Sequence, residues 1–491
     1  MVFTLKACKC VIPRHILLET DLDHLIDRIF FMNTPAEIEH VRLKALNNLW
    51  IHNRDWTEMA ESGGPHVITS GKGVRVTDSQ GNNWIDVNAG YSCVNIGYGR
   101  PEIAQAAYDQ INKTPFCPIG TTTETVIKLA EKLAELAPGD LNRVFFSTGG
   151  SEANETALKI AKAYHNHRGE TGRYRVISRK GSYHGMTGGV LWTGDGPAVQ
   201  KADYGPAYPG MLHVPQPNPY RCEFGGKTES ECAILCAQAI EDTILFYGPE
   251  TISAFIGEPI AIPQGAPVPS KEYWSMVREI CDRYGVIMIA DEVVCGFGRT
   301  GKMFAMEHFD VAPDIMTVAK GIISAYLPMA GTIVSDRIAD SFSGGDSSLK
   351  HVLTNSGHPV SAAAALKNIS IIEEENMVDN AKEVGEYFKD QLENMIQDHP
   401  YVGDVRGIGL FLAMELVSDR QTKAGFDPDV QIGVRLTEKF KSKGLIFRAR
   451  ENILHFGPPL CITRQEVDEI VHAVDLGLWE FEGECGVGRF A

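Results

Sequence analysis

Short apolar-rich runs and longer helically spaced stretches alternate through the middle of this chain. Val286 to Ala290 is wholly apolar and β-branched in part, too short for a helix and too continuous for a one-sided strand, so it reads as a strand buried on both faces. Val144-Phe145-Phe146-Ser147, Arg175 to Ser178, Ile252 to Ile256 and Ile315 to Val318 read as further strands. Helical spacing is found at Glu102 to Ile111, Thr123 to Glu135, the stretch EANETALKIAKAYH after Ser151, and Lys271 to Tyr284. That alternation predicts an α/β fold with a parallel sheet flanked by helices.

The pattern differs at the two ends. Lys72 to Val87 alternates around Gly81 and Asn82, as two strands joined by a turn would. Beyond Lys320, long helices are expected at Ser361 to Glu375 and Val378 to Ile396. Short strands near Leu410 to Leu416 and Leu454 to Phe456 then alternate with helices at Asp429 to Lys443 and Arg464 to Phe481. We therefore expect a large domain over 99–360 and a smaller α+β domain built from 32–98 and 361–491. Thr34 and Pro35 resemble a helix cap and first turn, which makes 1–31 an extension that the fold can do without.

Composition narrows the function classes. The chain has 491 residues, 44% hydrophobic content and a net charge of -17, which fits a folded protein and disfavours nucleic acid or an anionic membrane as partner. No run approaches the ~18 uninterrupted apolar residues of a membrane span. The eleven cysteines are scattered without the paired CxxC spacing of a zinc site, so no metal is expected. The opening residues are apolar but broken by Lys6 and Lys9, unlike a secretory signal. A reduced, cytoplasmic setting is the expectation.

Candidate chemistry sits at strand ends. Asp291 and Glu292 follow one buried run and Lys320 follows the next, at the carboxyl ends where an open α/β sheet presents its ligand site. A lysine amine condenses with a carbonyl, and pyridoxal 5'-phosphate held in that way needs an acid facing its ring nitrogen. A helix-capping acid and a solvated lysine would give the same two letters, so these residues alone leave both readings open. Thr148-Gly149-Gly150-Ser151, between a strand and a helix, has the form of a phosphate cradle, with Gly150 and Ser151 as the contacts; simple chain reversal is the alternative. Gly296 to Lys302 (GFGRTGK) nearly matches a nucleotide-binding P-loop, but Met303 stands where that motif needs a hydroxyl for magnesium.

From about Gly71 to Val471 the chain resembles the class III pyridoxal-phosphate aminotransferases, or omega-aminotransferases, of the fold type I superfamily. The resemblance rests on STGGSEANETALKIAK, SYHG, GEPI, IADEVVCGFGRTGKMFA, PDIMTVAKG and TNSGHPVSAAAAL, in that order. It implies a mainly parallel seven-stranded sheet and pyridoxal 5'-phosphate as cofactor. It also implies that Lys320 forms the Schiff base and moves the proton, and that Asp291 faces the ring nitrogen. Gly150 and Ser151 would hold the phosphate, Tyr183 and Val293 would flank the ring, and Glu258 would stand near Asp291. Thr354 matches a threonine that reaches the phosphate of the neighbouring subunit, which implies a homodimer or a dimer of dimers; Val352 and Leu353 depart from the aromatic usual before it.

The substrates implied are a small-molecule amine donor and an oxo-acid acceptor. Tyr183-His184-Gly185 is followed by Met186, where relatives using 2-oxoglutarate commonly carry an arginine. Arg448 matches the arginine that holds one substrate carboxylate in the amine:pyruvate branch, and Arg450 is a rival for that role. Pyruvate is the expected acceptor, with 2-oxoglutarate as the alternative and a decarboxylase or racemase of the same fold further off. Ser92 stands where that branch often has tryptophan. Either the pocket has room there, or Tyr91 fills it.

Overall fold

The computed structural model describes residues 35–118, 120–196, 201–345 and 347–486. The expected extension over 1–31 and the capping role of Thr34 lie outside them. Contacts divide the chain into two units, one of 1–71 with 76–83 and one of 72–75 with 84–491. In the first, helices Pro35–Asn48 and Trp56–Glu61 pack together, and Asp55 caps the second by accepting from the amides of Thr57 and Glu58. The chain passes from one unit to the other within strands Arg75–Asp78 and Asn83–Asp86, which flank the expected turn at Gly81 and Asn82.

The second unit is built on a seven-stranded sheet. Its strands are β1 (Leu141–Ser147), β2 (Arg175–Arg179), β3 (Met211–Val214), β4 (Ile252–Gly257), β5 (Ile287–Asp291), β6 (Ile315–Val318) and β7 (Ala330–Ser335), in the order β1-β7-β6-β5-β4-β2-β3. From β6 to β3 neighbours run parallel, while β7 is antiparallel to both β6 and β1. The α/β class and mainly parallel sheet are as expected; β7 and β3 are strands that the pattern did not reveal.

Both faces of this sheet are covered. On β5, Ile287 and Ile289 pack with Ala157, Ile160 and Ala161 of helix α1 (Gly150–His167), while Met288 and Ala290 pack with Trp274, Ile240 and Ile244 on the opposite side. All four β5 side chains are at most 1% exposed, so each contributes about 1.5–3 kcal/mol of burial if large. The two-residue period then assigns Asp291 to the α1 face, and the same count along β6 puts Thr317 there after Ile315. A second sheet, β8 (Val402–Ile408), β9 (Phe411–Leu416), β10 (Ala449–Arg450) and β11 (Ile453–Phe456), is antiparallel in the order β8-β9-β11-β10. It shares a core with helices α2 (Met377–Asp398) and α3 (Arg464–Glu484), through Phe388, Leu412, Leu454 and Val474. Among the described residues no helix is long and apolar enough to cross a membrane.

Candidate active site

Asp291 is the most elaborately held acid at the carboxyl edge of the large sheet. Its Oδ2 accepts from Asn154 Nδ2 at 2.8 Å and meets His184 Nδ1 at 2.7 Å. Its Oδ1 accepts from the Val293 amide at 3.1 Å and faces the Thr317 hydroxyl at 3.4 Å. Asn154 reaches it because 154, 157 and 161 form one stripe of α1 against the sheet. The Asn154 amide is itself oriented: it also donates to the His184 carbonyl and accepts from Thr317 Oγ1 at 2.7 Å. Such a net leaves the carboxylate little freedom to rotate.

Behind His184 lies a second acid. Glu258 Oε2 is 3.9 Å from His184 Nε2 and accepts from Arg179 Nη2 at 3.1 Å, while its Oε1 accepts from the Tyr183 amide. Arg179 is fully buried, and its guanidinium lies over the Tyr273 and Trp274 rings. Burial alone would depress the His184 pKa, but the carboxylates of Glu258 and Asp291 outweigh it and raise it. The neighbouring Glu292 is buried too; burial pushes it up to about 8, despite the hydrogen bond it accepts from the Met306 amide.

Lys320 follows β6 after a single residue and takes φ 49, a left-handed backbone uncommon for a long side chain, as it opens a short 3-10 turn. The residue is half-buried. Burial pushes its amine below the usual lysine range, and Arg448 adds to this, while Cys93 and Asp291 oppose it. Gly150 and Ser151 open α1 as its first two residues, and the preceding Gly149 leaves the helix start without a side-chain cap. A Cβ on Gly150 would come within 2.9 Å of Val293 Cγ1, so glycine permits the close approach of these two chain segments. Ser151 Oγ accepts from the Met186 amide.

The remaining predicted residues lie around this edge or apart from it. Tyr183 is half-exposed and within electrostatic reach of Arg448 and Asp291, and burial raises its hydroxyl pKa. Arg448 is exposed; its guanidinium lies 4.6 Å above the Tyr91 ring, and its backbone is fixed by the Asn88 side chain. Ser92 is buried with φ 56, beside Gly457. Tyr91 is 59% exposed. Arg450, two residues on, lines a cavity of about 400 Å³ with Asp195, Gln264 and Glu451. Thr354 is exposed and takes no part in the Asp291 net.

Asn154, His184, Thr317 and Arg179 are functional candidates that the sequence reading passed over. Asn154 and Thr317 carried a usable signal, since each is a polar residue on the buried face of its own element. The P-loop look-alike has a different outcome: Gly296 to Lys302 runs through turns into a four-residue 3-10 turn, Ala305–His308, so no α-helix offers its amides to a phosphate. Its Arg299 is buried and donates to Asn95 Oδ1 and the Leu410 carbonyl, a structural tie.

An uncapped helix start, a half-buried lysine with a depressed pKa and a carboxylate held by three donors fit the phosphate, aldehyde and ring nitrogen of pyridoxal 5'-phosphate. Comparison with known proteins points the same way. The chain is 40% identical to a diaminobutyrate–2-oxoglutarate transaminase of Halomonas elongata, covering 86% of this chain and 91% of that one. It is 39% identical to a putrescine–pyruvate aminotransferase of Pseudomonas aeruginosa, over 85% and 91% respectively. An (S)-enantioselective omega-transaminase from Thermomicrobium roseum superposes with a TM-score of 0.87 at 38% identity, over 91% of this chain and 99% of that one. Residues 58–476 match the family described as class-III aminotransferases. With the family match spanning both sheets and every element that carries Asp291 and Lys320, the chain belongs to the class-III aminotransferases and is a pyridoxal-phosphate-dependent transaminase.

Proposed function

We propose that this transaminase moves an amino group from an amine or omega-amino acid to pyruvate, in a homodimer with two equal sites. The observation that carries the acceptor is Arg448, which lies within electrostatic reach of Lys320 and Tyr183 and forms no ion pair among the described residues. One free guanidinium suits one substrate carboxylate. Met186, 48% exposed after His184-Gly185, offers nothing to a second.

Bound at this edge, pyridoxal 5'-phosphate supplies an aldehyde that takes up the donor's amino group and a ring that stores the electron pair released from the donor's carbon. Lys320 is the catalytic residue: its Nζ would hold the aldehyde carbon and, when free, would take the proton from the donor carbon and return it. A depressed amine pKa keeps more of it in the neutral form that this needs. Asp291 would face the ring nitrogen and hold a proton there. The amides and hydroxyl of Gly150 and Ser151 would bind the phosphate, joined by Thr354 from the second subunit. Tyr183 and Val293 would flank the ring and keep water from its faces, Glu258 fixes the Tyr183 backbone, and Ser92 would form part of the donor pocket wall.

The test is a comparison of kcat/KM for pyruvate and 2-oxoglutarate with one donor. Leaving a second carboxylate without a partner costs on the order of 2–3 kcal/mol, so pyruvate should be favoured at least about tenfold. A preference for 2-oxoglutarate would favour the other reading, which Arg450 supports as a second guanidinium two residues from Arg448 and which the Halomonas relative's activity also suggests.

A further inference from the structure

We propose that Arg179, Glu258, His184 and Asp291 form one buried chain of alternating charge, in which His184 is an imidazolium held between two carboxylates and keeps the Asp291 carboxylate aimed. This inference rests on the reading of Asp291 as the acid that serves the cofactor ring. His184 and Arg179 are thereby positioning residues that act through Asp291.

Three observations carry it. First, the enclosure is close to complete: the four residues are between 0% and 5% exposed, so their charges have one another and little water. Second, with both acids ionised and no cofactor bound, a neutral His184 leaves the set with one uncompensated negative charge, and an imidazolium leaves none. Third, both ring nitrogens face carboxylates, Nδ1 at 2.7 Å from Asp291 and Nε2 at 3.9 Å from Glu258, and among the described residues Nε2 has no hydrogen-bond partner. A neutral ring protonated on Nδ1 would turn its lone pair toward Glu258, which is repulsive, whereas an N–H there is attracted.

The ends of the chain are anchored independently of the cofactor. Glu258 is fixed by Arg179 and by the Tyr183 amide, and Arg179 is clamped between Glu258 and the rings of Tyr273 and Trp274. The groups that act on His184 are Glu258 and Asp291, which favour its charge, and Arg179, which opposes it. The two ends therefore predict opposite effects. Removing the charge of Glu258 should bring the His184 titration down, and removing that of Arg179 should bring it up.

The experiment uses full-length protein with 13C,15N-labelled histidine, with and without pyridoxal 5'-phosphate, for wild type, Glu258→Gln and Arg179→Met. Wild type should give His184 ring-nitrogen shifts of an imidazolium at about pH 7.5, above the ordinary histidine range. Glu258→Gln should lower the midpoint and Arg179→Met should raise it. A purely structural role would instead return both variants toward the free-histidine value. Glu258→Gln should also raise the cofactor's dissociation constant about tenfold, the factor carried by one unit of coupled ionisation. A neutral His184 at that pH, or displacement in the same direction in both variants, would overturn the proposal. Should Arg179→Met fail to fold, an unmoved His184 midpoint in Glu258→Gln does so alone. Asp291→Asn separates this from the assignment of Asp291: cofactor retention unchanged in that variant removes the role of Asp291, and with it any effect of the chain on the cofactor.

Discussion

The Tyr91 ring beneath the Arg448 guanidinium is a single contact with a measurable consequence. A half-exposed cation–π pair of this kind is worth about 0.5–1 kcal/mol, so Tyr91→Leu should raise KM for the oxo acid about two- to fivefold and leave kcat nearly unchanged. Steady-state kinetics at saturating donor measures it; an unchanged KM would mean that the ring does not steady the arginine. Gly150 gives a prediction for stability and binding together. The methyl of Gly150→Ala would meet Val293 Cγ1 at 2.9 Å, an overpacking that costs about 1–3 kcal/mol, so the thermal stability of the cofactor-free protein should fall. Cofactor retention should fall with it, about tenfold by equilibrium dialysis. The residues legible in the sequence, Lys320 and Asp291, were those at the ends of apolar strands. Asn154, His184 and Arg179 were not, because their partners lie 137, 107 and 79 positions away and only the packed sheet brings them together.

Among the elements, β5 and β6 could be read directly because burial on both faces makes a strand continuously apolar. Strand β7 (AGTIVS) is just as buried, but its glycine, threonine and serine break the pattern, since it packs closely between β1 and β6 where small side chains suffice. Helix Glu229–Tyr247 was hidden for the converse reason: Ile234, Leu245 and Phe246 are exposed while Ile240 and Ile244 are buried, so no polar face marks its period. The join of α2 to α3 carries a pH-dependent tie. His399, at the end of α2, meets Glu482 and Asp475 of α3 at 3.0 Å each, and the Trp479 ring packs against it. Burial would lower its pKa, but the two carboxylates win and raise it. A histidine whose folded pKa is raised adds stability that is fully present below its unfolded pKa, near 6.5, and is lost as pH rises through the folded value. The Tm gap between wild type and His399→Gln should thus be largest at acidic pH, on the order of 1–3 °C, and shrink toward alkaline pH. A gap that widens with pH would reverse the assignment.

For the whole molecule, the proposal of a homodimer implies a sedimenting mass twice the 53.9 kDa of the chain. Thr354 and Val352, both exposed in the single chain, belong to the segment that would meet the second subunit. Thr354→Ala should leave that mass unchanged and weaken cofactor retention about tenfold to a hundredfold, the loss of one hydrogen bond to a charged group. A fully active monomer would refute both. The antiparallel β7 has a consequence for synthesis. Among the described residues strand β1, which leads into the Gly150 turn, has β7 as its one neighbour in the sheet, in a register that pairs Ser147 with Ala330. At ~5–20 residues per second, the ribosome delivers that neighbour roughly 10–35 s after β1. Until then β1 is an exposed hydrophobic edge on the nascent chain, open to wrong pairings. A chain stopped between Lys320 and Ala330 would carry the acid, the lysine and the glycine turn and still lack the strand that holds the turn beside them.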